Sequence, residues 1–158
     1  MKKLLIIVAA LLLVSGCAEK TRHAKSKFIK DYVIHYKVDN AISKIEESLK
    51  SKNYIITSTF DHEKEALKLK QMLYPTKTID LYNRKIATKL IQCNPTMSME
   101  LPLRISLYSE LNGKTHIAFT DPEYWSIKHN ITNSDCLNLL FLLKRDLNDI
   151  TSLLGAKD

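Results

Sequence analysis

Apolar positions in residues 31–158 recur with two spacings, one typical of strands and one typical of helices. We predict strands at 31–38, 53–60, 77–83, 103–110 and 114–121, and helices at 41–49, 66–73, 84–93, 122–129 and 134–154. The Asn112-Gly113 pair predicts a hairpin between the last two strands. The order βαβαβαββαα indicates one α+β domain, with a mixed or antiparallel sheet of about five strands packed with helices and a long C-terminal helix.

Residues 1–16 have the pattern of a signal peptide. Lys2 and Lys3 precede an apolar run of eleven residues from Leu4 to Val14. As a helix this run would be about 16 Å long, well short of the roughly 30 Å of hydrocarbon that a spanning helix must cross. The run is therefore expected to be a leader that is removed, and a retained transmembrane anchor is not predicted.

The segment Val14-Ser15-Gly16-Cys17 resembles the bacterial lipobox, in which the cysteine is lipidated and becomes the mature N-terminus. This resemblance implies a Cys17 with several acyl chains, enough for durable attachment to a membrane. A simple secretory leader with an unmodified Cys17 is the alternative. Ala18 resembles the residue found in lipoproteins sorted to the outer membrane of Gram-negative bacteria. We therefore expect an outer-membrane protein that faces the periplasm.

The positive charge of the chain lies mainly outside the predicted domain. The net charge is +7, but residues 31–158 contain 17 Lys and Arg against 16 Asp and Glu. The excess belongs to the leader and to residues 17–30, predicted to be a flexible basic tether. These tether cations could lie against anionic headgroups or could simply be solvated. Nucleic-acid binding is not predicted, because it needs a basic surface on the folded domain.

Four segments resemble members of the bacterial domain-of-unknown-function family 302, in the right order and spacing. They are FDHEKEA at 60–66, YNRKIATKLIQCNP at 82–95, LPLRISLYSE at 101–110 and FTDPEYWSIKH at 119–129. The resemblance implies a compact α+β fold with an edge that could pair two subunits as a homodimer, and no established catalytic activity. Many members have Gly-Asn-Pro where this chain has Tyr82-Asn83-Arg84, and Gly-Thr at Ala87-Thr88. Loss of both glycines is expected to reduce the room for a ligand against the backbone at this turn.

The same resemblance selects six polar positions as candidate ligand-binding residues: Asp61, His62, Asn83, Thr88, Asp121 and His129. Each has a structural alternative. Asp61 and Asp121 could cap the helices that follow them, and Asn83 and Thr88 could bond locally. A neutral His62 at a helix start could bind a metal or a hydrogen-bonded ligand, or bond to Asp61 or the backbone. His129 near a helix end could be an anion partner or an exposed ring.

Cys93 and Cys136 are the remaining thiols if Cys17 is lipidated. An exported compartment would allow them to pair as a disulfide, and their positions neither require nor exclude this. The CxxC, HExxH, P-loop and nucleophile-elbow spacings do not occur in the sequence. We therefore predict no cofactor and find no catalytic signature.

The hypothesis that we favour is a lipid-anchored envelope protein with a periplasm-facing binding or interaction domain. Its protein or small-molecule partner is not identified by the sequence. The alternative is a metal-binding or metal-assisted site that uses His62 with Asp61 and His129. A third hypothesis is a structural envelope protein without a small ligand.

Overall fold

The computed structural model describes residues 26–156. The predicted leader, Cys17 and most of the predicted tether lie outside the described residues. The strands are β1 (Ile29–Ile34), β2 (Ile55–Asp61), β3 (Thr76–Tyr82), β4 (Leu103–Ser109) and β5 (Thr115–Thr120). The helices are α1 (Val38–Leu49), α2 (His62–Lys68), α3 (Arg84–Cys93), α4 (Glu123–Lys128) and α5 (Ser134–Leu153), with 3-10 turns at Lys50–Lys52 and Pro95–Met99.

The five strands form one sheet in the order β1-β5-β4-β3-β2. Every neighbouring pair is antiparallel, so of the two predicted sheet types the antiparallel one is correct. Ile29 pairs with Thr120 and Ile55 pairs with Tyr82. Strands β1, β2 and β4 therefore begin, and β3 and β5 end, at the same end of the sheet. We call this the tether end, because the chain enters β1 there.

Helices α1, α3, α4 and α5 pack on one face of the sheet, whereas α2 contributes no buried residue. Alternate residues of β3, β4 and β5 are buried, and those between them are mostly half-buried or exposed. Ala41, Ile45 and Leu49 bury one side of α1, and the core continues into α5. Burial of these side chains is the main source of stability, at about 25 cal/mol per Å² of apolar surface. The result is the predicted single α+β domain with a long C-terminal helix.

Several boundaries differ from the prediction. Strand β1 begins at Ile29, two residues early, and the predicted strand 31–38 is cut short because α1 already starts at Val38. Helix α1 starts three residues before the predicted 41–49, with Lys37 at the N-cap position and Asp39 in the first turn. The side chain of Asn133 accepts hydrogen bonds from two backbone amides at the start of α5. The predicted helix 66–73 is observed as α2 at His62–Lys68, because the side chain of Asp61 caps it at the earlier position. Helix starts differ from the prediction because neighbouring polar residues can serve as alternative caps.

Two glycines fit the turns predicted for them. Gly113 in the β4–β5 hairpin has φ of 79° and Gly155 after α5 has φ of 69°, a region that costs glycine little. A side chain at Gly155 would come within 2.6 Å of the ring of His35. In the described part of the chain, no helix combines the length and apolar character needed to cross a bilayer.

Candidate functional site

Asp61 caps the N-terminus of α2. Its carboxylate accepts a hydrogen bond of 2.9 Å from the backbone N–H of Lys64 and lies 3.3 Å from the Lys77 ammonium. The Lys64 amide and the Lys77 ammonium lower the pKa of Asp61. Lys77 also pairs with Asp39 at 2.6 Å, and this contact holds the start of α1 near the start of α2. The arrangement is that of a structural cap with an ion pair.

His62 follows directly and is half-buried at the start of α2. Its Nε2 lies 2.8 Å from the hydroxyl of Thr78 on β3, and its ring packs edge-on against Phe60 at 4.9 Å between centroids. The ring therefore bonds to a strand hydroxyl, whereas Asp61 or the backbone was the partner considered from the sequence. These contacts position the imidazole against the sheet.

Asn83 caps α3 and also joins two turns. Its side-chain oxygen accepts from the backbone N–H of Ile86 at 3.1 Å, and its amide donates to the carbonyl of Lys52 at 3.1 Å. Thr88 lies exposed on the outer side of α3. The two candidates therefore differ, since Asn83 fixes the turn between β3 and α3 and Thr88 faces solvent.

Asp121 and His129 are both buried, at 2 % and 6 % exposure. Asp121 accepts a hydrogen bond of 3.0 Å from the backbone N–H of Glu123, the first residue of α4, and lies one position before the N-cap residue Pro122. His129 places Nε2 at 2.9 Å from Glu100 and Nδ1 at 2.7 Å from the hydroxyl of Thr96. The anion beside His129 is thus a carboxylate of the same chain, and the alternative of an exposed ring is wrong.

The six candidates do not form one site. Five of them are held by separate contacts, Asp61 and His62 at α2, Asn83 at α3, and Asp121 and His129 around α4, and Thr88 faces solvent. Among residues 26–156 no group of three or more His, Cys, Asp or Glu side chains is placed to hold a metal ion. The alternative of a metal site shared by Asp61, His62 and His129 is therefore not supported by the geometry.

Cys93 and Cys136 form a disulfide that joins the end of α3 to the start of α5, with their Cα atoms 6.1 Å apart. This separation is ordinary for a disulfide. The bond connects two helices on the same face of the sheet. It therefore fixes the relative position of α3 and α5, which form two walls of the groove described next.

A groove of about 1000 Å³ opens at the tether end of the sheet, between the turn after α1, the β3–α3 turn and α5. Its basic lining residues are Lys50, Lys52, Arg84, Lys85, Lys89 and Arg145; its apolar and aromatic ones are Ile55, Ile86, Leu139, Leu142, Tyr54 and Tyr82. Asp146 is the acidic residue that lines it. The β3–α3 turn was expected to leave little room for a ligand, yet it borders this groove.

Buried polar contacts form the floor of the groove. Asp146 is 8 % exposed; it accepts from the hydroxyl of Tyr54 at 3.0 Å and from Lys52 at 3.2 Å. Lys52 also bonds Asp149, and this contact raises the pKa of Lys52. Burial, followed by the charge of Asp146, raises the pKa of Tyr54. Two carboxylates therefore keep Lys52 in its charged form. These ion pairs stabilise the fold, so we do not count Lys52 among the cations that could bind a ligand.

The remaining cations of the groove have few acidic neighbours. Arg145 lies 3.7 Å from Asp146, which it shares with Lys52. The other four basic residues are exposed and have no carboxylate partner within the described part of the chain; they are Lys50, Arg84, Lys85 and Lys89. The groove is therefore a concave surface with unneutralised positive charge, which raises the local concentration of anions.

Sequence reasoning missed this groove apart from Asn83. Its cations come from three separate segments, at 50–52, at 84–89 and at 145. The near balance of charge in residues 31–158 hides their concentration, because the acidic residues lie mostly elsewhere on the surface. One feature of the sequence could have indicated the groove. Residues 84–89 contain three basic residues, and the first turn of α3 contains no acidic one.

Fold and groove define this molecule as a single α+β domain with an antiparallel five-stranded sheet and a basic groove at one end. The chain belongs to the family of domain of unknown function DUF302, whose model matches residues 31–148. Its fold is similar to that in the crystal structure of an uncharacterized conserved protein DUF302 from Bacillus stearothermophilus. The two are 18 % identical with a TM-score of 0.72, over 82 % of this chain and 99 % of the other. No curated protein matches the chain.

Proposed function

We propose that this protein is a lipid-anchored envelope protein whose periplasm-facing domain binds an anionic ligand in the basic groove. The observation that supports this most directly is the set of four exposed cations without carboxylate partners, Lys50, Arg84, Lys85 and Lys89, around one concavity. A guanidinium and several ammonium groups that converge on a groove recognise phosphate or carboxylate groups. The proposed activity is binding, without a chemical step.

The rest of the lining narrows the class of ligand. Ile55 and Leu142 are 45 % and 37 % exposed at the groove, and Tyr82 lies beside them. Apolar and aromatic side chains next to cations suit a molecule with an anionic group and an apolar part. A small hydrophilic anion would leave this apolar surface in water. An amphiphilic anion is therefore the ligand class that uses the whole groove.

Export is supported by sequence and by chemistry. The leader and the Val14–Cys17 segment have the pattern of a lipoprotein signal. The Cys93–Cys136 disulfide fits an oxidising compartment such as the periplasm, where such bonds persist. Ala18 supports sorting to the outer membrane. These points belong to one proposal, in which acyl chains on Cys17 retain the domain at the membrane surface.

We also propose that two copies of the protein form a homodimer. Strand β2 is an edge of the sheet, and its free edge could pair with a second copy. Phe60 on β2 is 51 % exposed, and Leu69 and Met72 after α2 are 72 % and 96 % exposed. These apolar groups would be covered by a partner subunit at this edge.

Native mass spectrometry of the protein purified from its own envelope tests the ligand proposal. The comparison is between the wild type, Arg84→Gln/Lys89→Gln in the groove, and Lys64→Gln/Lys114→Gln as a control with the same change in charge. All four positions are exposed, so each variant should fold. We expect an additional mass in the wild type and the control that is lost from the groove variant.

The same spectra have a contradicting outcome. An additional mass of equal abundance in all three proteins would place the ligand elsewhere and refute the groove. Equal masses without any additional species, together with no binding of added anionic amphiphile, would also refute it. The spectra report the mass of the assembly too, so a monomer at every concentration would refute the homodimer.

A further inference from the structure

A second exposed surface lies at the tether end, around Trp125 and separate from the basic groove. Phe28 and Ile29 are 48 % and 51 % exposed, Ile127 is 79 % exposed and Met99 is 75 % exposed. Phe28 and Ile127 border a depression of about 440 Å³ whose wall includes Trp125. Met99 borders the next depression, which shares Trp125 as a wall. Phe28, Ile127 and Met99 therefore border two adjoining depressions that share the buried ring of Trp125 as a wall.

The exposed side chains of this surface are attached to a well-packed part of the domain. Phe28 packs edge-on against the ring of Tyr124, with 4.8 Å between centroids. The carbonyl of Phe28 accepts from the backbone N–H of Asp121 at 2.9 Å. Trp125 itself is 2 % exposed and belongs to the hydrophobic core. The surface is therefore an exposed part of a packed region, which can meet a partner without refolding.

Basic side chains border this apolar surface. The ammonium of Lys27 lies 5.2 Å from the centroid of the Phe28 ring. Lys30 and Lys128 are 40 % and 59 % exposed in their side chains and pair with Asp121 and Glu100. Exposed aromatic and aliphatic groups bordered by lysines match the interface of an anionic bilayer. There the apolar groups enter the acyl boundary and the ammonium groups remain at the headgroups.

The surface lies close in sequence to Cys17, and this indicates what it contacts. Eight residues separate Cys17 from Ser26, and they include three cations and one acid. Even fully extended, eight residues span at most about 29 Å, at about 3.6 Å each. A bilayer that holds acyl chains on Cys17 would therefore be close to Phe28. We propose that Phe28, Met99 and Ile127 form a docking surface that rests on the anionic bilayer to which Cys17 is anchored.

This inference rests on the proposed lipid anchor, but it predicts an additional contact that a tether alone would not make. A domain that is only tethered would sample many orientations above the membrane. A domain that docks would keep Trp125 near the acyl chains. It would also direct the tether end, and with it the basic groove, towards the headgroups.

Trp125 provides the test, because the chain contains one tryptophan. The full lipoprotein is reconstituted into phosphatidylglycerol vesicles with brominated or ordinary acyl chains, and the Trp125 emission is compared between them. We expect quenching by bromine in the wild type and its loss in Phe28→Ser/Ile127→Ser. The matched control is Leu111→Ser, since Leu111 is 82 % exposed in the hairpin at the opposite end of the sheet; it should quench like the wild type.

Flotation of the same vesicles separates the anchor from the docking surface. Wild-type protein that floats without quenching would overturn the docking surface and leave the anchor in place. Equal quenching in the wild type and the Phe28/Ile127 variant would also overturn it. Failure to float would overturn both proposals. Disulfide cross-linking between two copies of the Ile127→Cys variant, without quenching, would assign the surface to a second copy of the chain in place of the bilayer.

Discussion

At the scale of single residues, most of the polar candidates have roles in the fold. Asp61, Asn83 and Asp121 satisfy backbone N–H groups at the starts of helices. Such caps contribute roughly 1 kcal/mol each. The structural alternatives considered from the sequence therefore describe these positions. The second bond of Asn83, to the Lys52 carbonyl 31 residues away, could not be read from local sequence.

The ionisation of Glu100 predicts how one side chain contributes to stability. Its burial alone would raise the pKa, but hydrogen bonds from Lys128 and His129 outweigh this and leave the pKa below its ordinary value of 4.5. A lowered pKa in the folded state means that the ionised carboxylate stabilises the fold above about pH 4.5, and that this stability is lost as the pH falls further. Glu100→Gln should therefore lower the free energy of unfolding at pH 7 by roughly 1 to 3 kcal/mol.

Urea unfolding at pH 7 and pH 3 checks this prediction. The difference between the wild type and Glu100→Gln should be smaller at pH 3 than at pH 7, because the wild-type carboxylate becomes increasingly protonated as the pH falls. Glu47→Gln, an exposed position on α1, is the control and should change stability by less than about 0.5 kcal/mol. A difference that is the same at both pH values would contradict the assigned role of the carboxylate.

At the scale of elements, the sequence predicts the strands and helices well, because their periods and breakers are local signals. The hairpin at Asn112-Gly113 and the long C-terminal helix α5 are examples. The boundary between β1 and α1 was harder to predict. Asp39 could cap α1 or form an ion pair with Lys77, and that pair joins residues 38 positions apart in the sequence. The fully antiparallel pairing likewise depends on contacts between distant strands.

The disulfide between α3 and α5 predicts how much the link between two helices contributes to stability. Its sequence separation is 43 residues, so the loop-entropy model gives about 3 to 4 kcal/mol of stabilisation. Cys93→Ala/Cys136→Ala should lower the free energy of unfolding by about this amount, measured by urea unfolding without reductant. Mass analysis of the wild type under non-reducing conditions should find no free thiol at these positions. Two free thiols, or equal stability of both proteins, would contradict the bond.

At the scale of the whole molecule, the antiparallel order brings the main surfaces to the same end of the sheet. The basic groove lies near the start of β2, and the apolar docking surface lies near the start of β1. Four inter-strand steps of about 4.8 Å separate these two edges, or roughly 20 Å. A protein anchored next to β1 could therefore present the groove to molecules at the membrane surface.

The groove could not be predicted from composition, for a physical reason. Net charge sums over the whole surface, whereas an anion responds to the charges within about 10 Å, the Debye length at 0.1 M salt. Lys50, Arg84 and Arg145 are distant in sequence and become neighbours of one cavity through the packing of α3 and α5 on the sheet. The location of a charge cluster thus requires the tertiary structure.

An NMR titration with inorganic pyrophosphate tests whether the basic groove binds anions. We would add it to the 15N-labelled chain from residue 18 onwards, which contains every described residue, at low and at high salt. We expect shifts of backbone amides at 50–55, 82–89 and 139–146 that saturate at low salt and weaken at high salt. They should be absent in Arg84→Gln/Lys89→Gln and retained in Lys64→Gln/Lys114→Gln. Shifts spread evenly over the surface, or equal in both variants, would contradict an anion-binding groove.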